Sequence, residues 1–112
     1  MKSILASIAL LVASTVLCHA TYLTYSEWEA LAVDQRAIYI AGALDALISY
    51  APNGDTKYST HIRQCMVRTK MNDAQLAENV RAFASARPQL QSVQTPISLM
   101  SYLGELCGKP PQ

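Results

Sequence analysis

Two cysteines, Cys65 and Cys107, place the strongest constraint on what this chain can fold into. The third cysteine, Cys18, lies in an N-terminal segment with the features of a secretory signal peptide. Removal of that segment leaves two thiols in an oxidising compartment, where only one pairing exists. The sequence therefore predicts a Cys65–Cys107 disulfide, with two buried free thiols as the alternative. The bridge would close a loop of about 40 residues and stabilise the fold by about 4 kcal/mol.

The signal peptide is predicted from residues 1–20. Lys2 gives a positive start, residues 4–17 are apolar apart from three hydroxyl side chains, and the segment ends at Ala20 in a small-x-small cleavage pattern. The apolar run is shorter than the roughly 20 residues that span a bilayer. We therefore expect residues 1–20 to be cleaved and residues 21–112 to form a single periplasmic domain without a membrane anchor.

The overall charge gives little indication of a partner. Lys2 is the only charged residue of the predicted signal peptide, and the remaining chain has eight basic and eight acidic residues. A net charge near zero gives no electrostatic reason to expect nucleic acid or an anionic membrane as the partner.

Residues 21–112 are predicted to fold as an all-α, single-domain bundle of four to five helices stapled by one disulfide, because capping motifs are frequent and strand-like alternation is rare. Helix starts are expected near Ser26, Asp34, Ser59 or Thr60, Asn72 and Thr95. The second helix is expected to end near Tyr50 and the last at Gly108. The predicted core face of the last helix is Ile97, Met100, Leu103 and Cys107.

No catalytic constellation is visible in residues 21–112. His61 is the only histidine there, and a Cys–His nucleophile would need a thiol that the predicted disulfide removes. His61 and Cys65 are spaced to share a helix face, but a half-exposed histidine on a short helix is the simpler interpretation. Phosphate-binding loops and the HExxH and CxxC metal motifs do not occur. We therefore expect a protein that is not an enzyme and that has neither a cofactor nor a metal site.

Asp45 is the polar residue that stands out, because small and apolar side chains surround it in the second helix. A carboxylate there must reach water or a partner, since an unpaired buried charge is very costly. We expect a structural role, either at the edge of the helix or in an ion pair; partner binding is the alternative. The arginines considered for such a pair are Arg36, Arg63 and Arg81. The small neighbours of Asp45 also allow another helix to approach closely, either from this chain or from a second copy in a homodimer.

The turn after the second helix is the predicted partner-binding surface. Residues 52–55 are Pro, Asn, Gly and Asp, all typical of turns, and a tyrosine stands on each side. Tyrosine is enriched where a surface is both apolar and wet. The residues expected to contact a protein partner are Tyr50, Asn53, Asp55 and Tyr58. The alternative is that the tyrosines only cover the ends of helices.

The residue layout also matches that of a family of bacterial proteins. The most specific parts are the two cysteines and a run in which Gln75-Leu76, Val80, Phe83 and Arg87-Pro88 keep their spacing. The other positions that agree are Trp28, Leu31, Arg36, Tyr39, Gly42, Asp45, Leu99 and Leu103. Over residues 26–108 the chain resembles the Tai-type immunity proteins of bacterial type VI secretion, which are small periplasmic helical proteins with one disulfide.

That resemblance implies a helical domain, often dimeric, that plugs the active site of a peptidoglycan amidase and so protects its own cell. It assigns no inhibitory residue in this sequence. Two other functions remain open: a periplasmic acid-stress chaperone, triggered by protonation of carboxylates, and a structural subunit of an envelope complex. An inhibitor would have one stoichiometric partner, whereas a chaperone would have many weak ones.

Overall fold

The computed structural model describes residues 23–112, and within that range the chain forms five α-helices and no β-strand. The helices are α1 (Tyr25–Glu29), α2 (Val33–Ser49), α3 (Lys57–Thr69), α4 (Asp73–Ser85) and α5 (Thr95–Cys107), with 3₁₀ turns at Pro52–Gly54 and Pro88–Leu90. The predicted all-α bundle is confirmed. The predicted signal peptide lies outside the described residues. Among the helices of residues 23–112, none has the length and hydropathy of a membrane-spanning segment.

One hydrophobic core joins the five helices, and α2 packs against α3, α4 and α5. Trp28 of α1 is fully buried, and its Nε1–H donates a hydrogen bond to the carbonyl oxygen of Arg36 at 3.2 Å. Each buried Leu, Ile or Val side chain contributes about 1.5–3 kcal/mol through removal from water. The other apolar side chains that are at most 2% exposed are Tyr25, Ile40, Ile62, Cys65, Leu76, Val80, Ala84, Leu99 and Leu103.

Two of the predicted helix starts are realised by reciprocal capping boxes. The side chain of Thr24 accepts from the backbone N–H of Glu27 while the Glu27 carboxylate accepts from the Thr24 N–H, and Asn72 and Gln75 exchange the same pair of bonds at α4. Each such cap satisfies backbone donors that the first helical turn leaves free. These local interactions explain why the sequence alone predicts the first residues of α1 and α4 to within one residue.

Three details of the other helices differ from the prediction. Helix α3 begins at Lys57 rather than at Ser59 or Thr60, because the Asp55 carboxylate accepts from the Lys57 N–H at 3.0 Å. Helix α2 begins at Val33, and Asp34 lies inside its first turn. In α5 the buried apolar residues are Leu99 and Leu103, of which Leu103 was predicted, whereas the predicted core residues Ile97 and Met100 are 43% and 46% exposed.

The predicted disulfide is present and ties α3 to the end of α5. The Cα atoms of Cys65 and Cys107 are 5.7 Å apart, within the range that a disulfide requires. His61, one turn before Cys65, places its Nε2 atom 3.0 Å from the carbonyl oxygens of both Cys107 and Gly108. A ring N–H there satisfies carbonyl groups that the end of α5 leaves free. Gly108, with φ 70°, ends the helix as predicted.

Candidate contact surface

The connection between α2 and α3 is a short turn whose own backbone hydrogen bonds fix its shape. The N–H of Gly54 donates to the carbonyl oxygen of Ala51 at 3.1 Å, and the N–H of Asp55 donates to that of Pro52 at 2.9 Å. Asn53 and Gly54 both have positive φ, at 56° and 76°. Asparagine and glycine are the residues that adopt this left-handed conformation most readily. The local sequence therefore specifies one turn geometry rather than a mobile loop.

The turn exposes three of the four predicted contact residues. Tyr50 is 66% exposed at the end of α2, and Asn53 and Asp55 are also exposed. Tyr58 is different: it is half-buried in the first turn of α3 and packs against the core. The structure therefore places Tyr50, Asn53 and Asp55 on the surface, whereas the Tyr58 side chain packs mainly against the core.

Asp55 has a structural task in addition to its exposure. Its carboxylate accepts a hydrogen bond from the Lys57 N–H, which is one of the free donors at the start of α3. A negative charge at this helix end is also favoured by the helix dipole. A substitution of Asp55 would therefore change both the surface and the start of α3, which makes Tyr50 the cleaner probe of contact.

The C-terminal tail enlarges this surface, which the sequence did not predict. Residues 109–112, which follow the predicted end of the last helix, lie beside the turn and the start of α3 and border a shallow groove of about 480 Å³. The residues that line it are Asp55, Lys57, Tyr58, Lys109, Pro110, Pro111 and Gln112. The signal was available in the cysteine spacing, because a bridge from Cys107 to α3 must bring the following residues close to that helix.

His61 makes no pair with a free thiol, since Cys65 is in the disulfide. Its Nε2 atom contacts the two carbonyl oxygens at the end of α5, as described above. The hydroxyl of Ser59, two residues earlier, is buried and donates to the carbonyl oxygen of Thr56 at 3.1 Å. Within residues 23–112, no three His, Cys, Asp or Glu side chains lie close enough together to hold a metal ion.

Asp45 lies on the exposed side of α2, which matches the first of the two structural roles considered for it. The ion pair considered as the other possibility does not form with any of the three arginines. Arg36 donates to backbone carbonyls of Glu29 and Leu31, Arg63 to that of Ile48, and Arg81 to the Glu78 carboxylate. Within the described part of the chain, Asp45 therefore faces water and has no ion-pair partner.

The side chains of Tyr25 and Glu78, which have shifted pKa values, belong to α1 and α4 and not to the turn. The hydrogen bond from Arg81 lowers the pKa of the Glu78 carboxyl. Burial, followed by the nearby Glu29 carboxylate, raises the pKa of the Tyr25 hydroxyl, which donates to the carbonyl oxygen of Arg81 at 3.2 Å. All of these residues belong to α1 and α4, so their electrostatics support the fold and not the contact surface.

No protein family, curated protein or solved structure matches this chain. The resemblance to immunity proteins therefore rests on the residue layout given above.

Proposed function

We propose that this chain is an exported, non-enzymatic binding protein that acts as an immunity-type inhibitor of a cell-wall amidase. The observation that carries the binding role is the exposed turn around Tyr50. Its backbone is held by internal hydrogen bonds and by the left-handed Asn53 and Gly54, so little conformational entropy is lost when a partner binds it. The amidase as partner is supported by the residue layout that resembles Tai-type proteins.

A rigid turn of this kind suits inhibition by insertion into a cleft. An aromatic side chain that is both rigid and amphipathic is a typical hot spot of a protein interface, that is, a residue that contributes much of the binding energy. Tyr50 is such a side chain, and the shallow groove beside the C-terminal tail provides a rim that a partner can cover. The proposed contact surface is therefore the turn residues Tyr50, Asn53 and Asp55 together with the tail.

The test begins with capture of the partner. The tagged protein is used to isolate its complex from periplasmic extract of its own organism, and an amidase identified by mass spectrometry is then purified. We expect one equivalent of the protein to abolish release of peptide from purified peptidoglycan. A correctly folded protein that leaves the amidase fully active at stoichiometric excess would contradict the proposal.

A variant pair locates the contact. Tyr50→Ala should weaken binding by about 30-fold, the effect of losing about 2 kcal/mol at an interface centre. Met100→Ala is the matched control, because Met100 is also an exposed large side chain but lies on α5. Equal effects of the two substitutions would place the contact elsewhere.

A further inference from the structure

The arginines of α3 differ from those of α4 and its C-terminal end in what their guanidinium groups contact. Arg81 and Arg87 each form an ion pair with a carboxylate of this chain. Arg63 and Arg68, both exposed on α3, form none within residues 23–112. Arg63 donates one long hydrogen bond, 3.4 Å to the carbonyl oxygen of Ile48. Since a guanidinium has five N–H donors, most of the donors of these two arginines are left to water or to a partner.

The stretch of chain that carries these two arginines is basic, although the net charge of the whole protein is near zero. Residues 56–72 include four basic side chains and no carboxylate. The basic residues are Lys57, Arg63, Arg68 and Lys70. The local charge of α3 is therefore positive, which favours an anionic group as the partner of this helix.

A shallow groove of about 410 Å³, called the α3 groove below, lies between the two arginines. The residues that line it are Arg63, Gln64, Val67 and Arg68. Arg63 and Arg68 are about 140° apart around the helix axis, and Val67 and Gln64 lie within that arc. Val67 is 71% exposed. The groove therefore presents an aliphatic surface with a guanidinium on each side.

We propose that the α3 groove binds a short acidic segment of a partner protein, with an aliphatic side chain on Val67 and a carboxylate on each guanidinium. In an extended segment the side chains at i, i+2 and i+4 point to one face, and the outer two are about 13 Å apart. Such a segment places its central aliphatic side chain on Val67 while its outer carboxylates reach Arg63 and Arg68 on opposite sides. The planar guanidinium donates two parallel hydrogen bonds to a carboxylate, which the single ammonium group of a lysine does not match.

Two other classes of anionic partner fit the α3 groove less well. A helix that lies on an anionic membrane buries a wide apolar face, whereas Val67 is the only large apolar side chain that α3 exposes. A long nucleic acid would extend beyond the groove toward the start of α3, where the exposed carboxylate of Asp55 repels phosphate. A short segment with carboxylates needs only the groove itself.

The α3 groove is separate from the contact surface around Tyr50. None of its four lining residues belongs to the turn or to the C-terminal tail. The proposal therefore does not rest on the inhibition of an amidase, and a peptide that contains no part of an amidase can test it.

An NMR titration of the isotope-labelled protein, produced with its natural N-terminal segment, gives the first test. The probe is a synthetic seven-residue peptide with glutamate at positions 2 and 6, leucine at position 4 and serine elsewhere. We expect saturable shifts of the backbone amide signals, centred on residues 63–68. Raising the salt from about 0.05 M to about 0.5 M should weaken binding at least about threefold, because the charges are exposed and therefore screened. The proposal fails if no saturable shift is seen, if the shifts are centred elsewhere, or if salt has no effect.

Two matched peptides separate the charged from the apolar part of the recognition. Glutamine in place of both glutamates removes the charge at nearly constant size and should weaken binding about tenfold. Serine in place of the leucine should weaken it about threefold, since less apolar surface is removed from water. A glutamine peptide that binds as well as the glutamate peptide would overturn the proposal.

Vesicles and nucleic acid are compared with the peptide in the same titration. The probes are phosphatidylglycerol vesicles and a single-stranded oligodeoxynucleotide. At concentrations of negative charge at which the peptide saturates the groove, neither should shift the amide signals of residues 63–68 appreciably. Tighter binding of either probe at these residues would overturn the proposal and assign the groove to a membrane or to nucleic acid.

Variants of the protein locate the site. Arg63→Gln and Arg68→Gln should each weaken binding of the glutamate peptide by about three- to fivefold, the effect of losing one exposed charge pair. Lys70→Gln removes the same charge from the same stretch of chain but outside the groove, so it should change affinity less than about twofold. Val67→Ser should also weaken binding, whereas Ile38→Ser, at an equally exposed residue on α2, should not.

The folding of each variant is checked by circular dichroism. We expect the helices to be retained, because all the substituted side chains are exposed. If the arginine variants and Lys70→Gln weaken binding equally, only the general charge of α3 attracts the peptide, and the proposed groove is wrong. Equal effects of the two serine variants would also contradict it.

Discussion

Within residues 23–112 the chain forms two 3₁₀ turns that begin with proline, and they have opposite roles. The turn Pro52–Gly54 contains no buried residue, whereas Pro88–Leu90 buries Leu90 in the core. Both join helices and both begin with a residue that lacks an N–H donor. What separates them is therefore not the turn type but the contacts that the rest of the chain makes with each.

The Pro88–Leu90 turn is part of the connection between α4 and α5, and hydrogen bonds join this connection to the start of α1. The Tyr25 N–H donates to the Val93 carbonyl oxygen at 3.1 Å, and the Thr95 N–H donates to that of Leu23 at 2.9 Å. On the other side, the Arg87 guanidinium stacks 3.6 Å above the Phe83 ring. Within the described residues, the backbone hydrogen bonds of the Pro52–Gly54 turn are all made among residues 51–55. One connection therefore stabilises the fold, and the other is free to contact a partner.

Loss of the disulfide should produce the largest change in stability, because the bridge restricts the unfolded chain over a loop of about 40 residues. It also anchors α3, the helix that follows the exposed turn. Cys65→Ser should lower the free energy of unfolding by about 2–5 kcal/mol. Urea unfolding followed by circular dichroism measures it. Reductant should have a similar effect on the wild type and none on the variant. An unchanged unfolding midpoint would mean that the bridge adds nothing to the fold.

A pair of substitutions tests the difference between the two connections directly. Leu90→Ala leaves a cavity at a residue that is only 8% exposed and should cost about 2–4 kcal/mol. Tyr50→Ala, at a residue that is 66% exposed, should change stability by no more than about 0.5 kcal/mol. Thermal or urea unfolding of both variants gives the comparison. A large loss for Tyr50→Ala would show that the exposed turn also stabilises the core.

A smaller effect is expected where α1 meets the second connection. The buried Thr95 hydroxyl donates to the Leu23 carbonyl oxygen at 3.0 Å, and Thr95→Val removes this donor while nearly keeping the volume. The expected cost is about 1 kcal/mol, since the carbonyl retains the Thr95 N–H. Ser101→Ala on the exposed side of α5 is the control and should be nearly neutral. If Thr95→Val and Ser101→Ala lower the free energy of unfolding equally, the hydrogen bond from the Thr95 hydroxyl to Leu23 contributes no more to stability than one on the surface.

Short-range signals predicted the fold well, and long-range packing explains where they failed. The capping boxes at Thr24 and Asn72 and the glycine at position 108 act within a few residues, so the sequence contains the whole cause. The core face of α5 cannot be predicted from such local signals, because Ile97 and Met100 fit helical spacing as well as Leu99 and Leu103 do. The face of α5 that is buried depends on the position of Thr95 at the start of the helix. The hydrogen bonds from Thr95 to the Leu23 carbonyl oxygen fix that position.

The contact surface could be predicted only in part for the same reason. Turn residues and flanking tyrosines located it, but Tyr50 and Tyr58 look alike in sequence. Tyr58 is turned toward the core because it is one turn of helix before Ile62, which is buried.

Substitution of the two turn prolines, Pro52 and Pro88, should have the smallest effect and gives the most selective test of the difference between the two connections. A proline at a compatible position stabilises mainly by restricting the unfolded chain, by about 0.4–1 kcal/mol. Pro52 and Pro88 are both exposed, so Pro52→Ala and Pro88→Ala should each cost about 0.5 kcal/mol, measured by urea unfolding. A single substitution to glycine at either position should cost more, since it frees the unfolded chain further. If Pro88→Ala costs several times as much as Pro52→Ala, the proline itself, and not only Leu90 and the contacts with α1, would be what fixes the second connection.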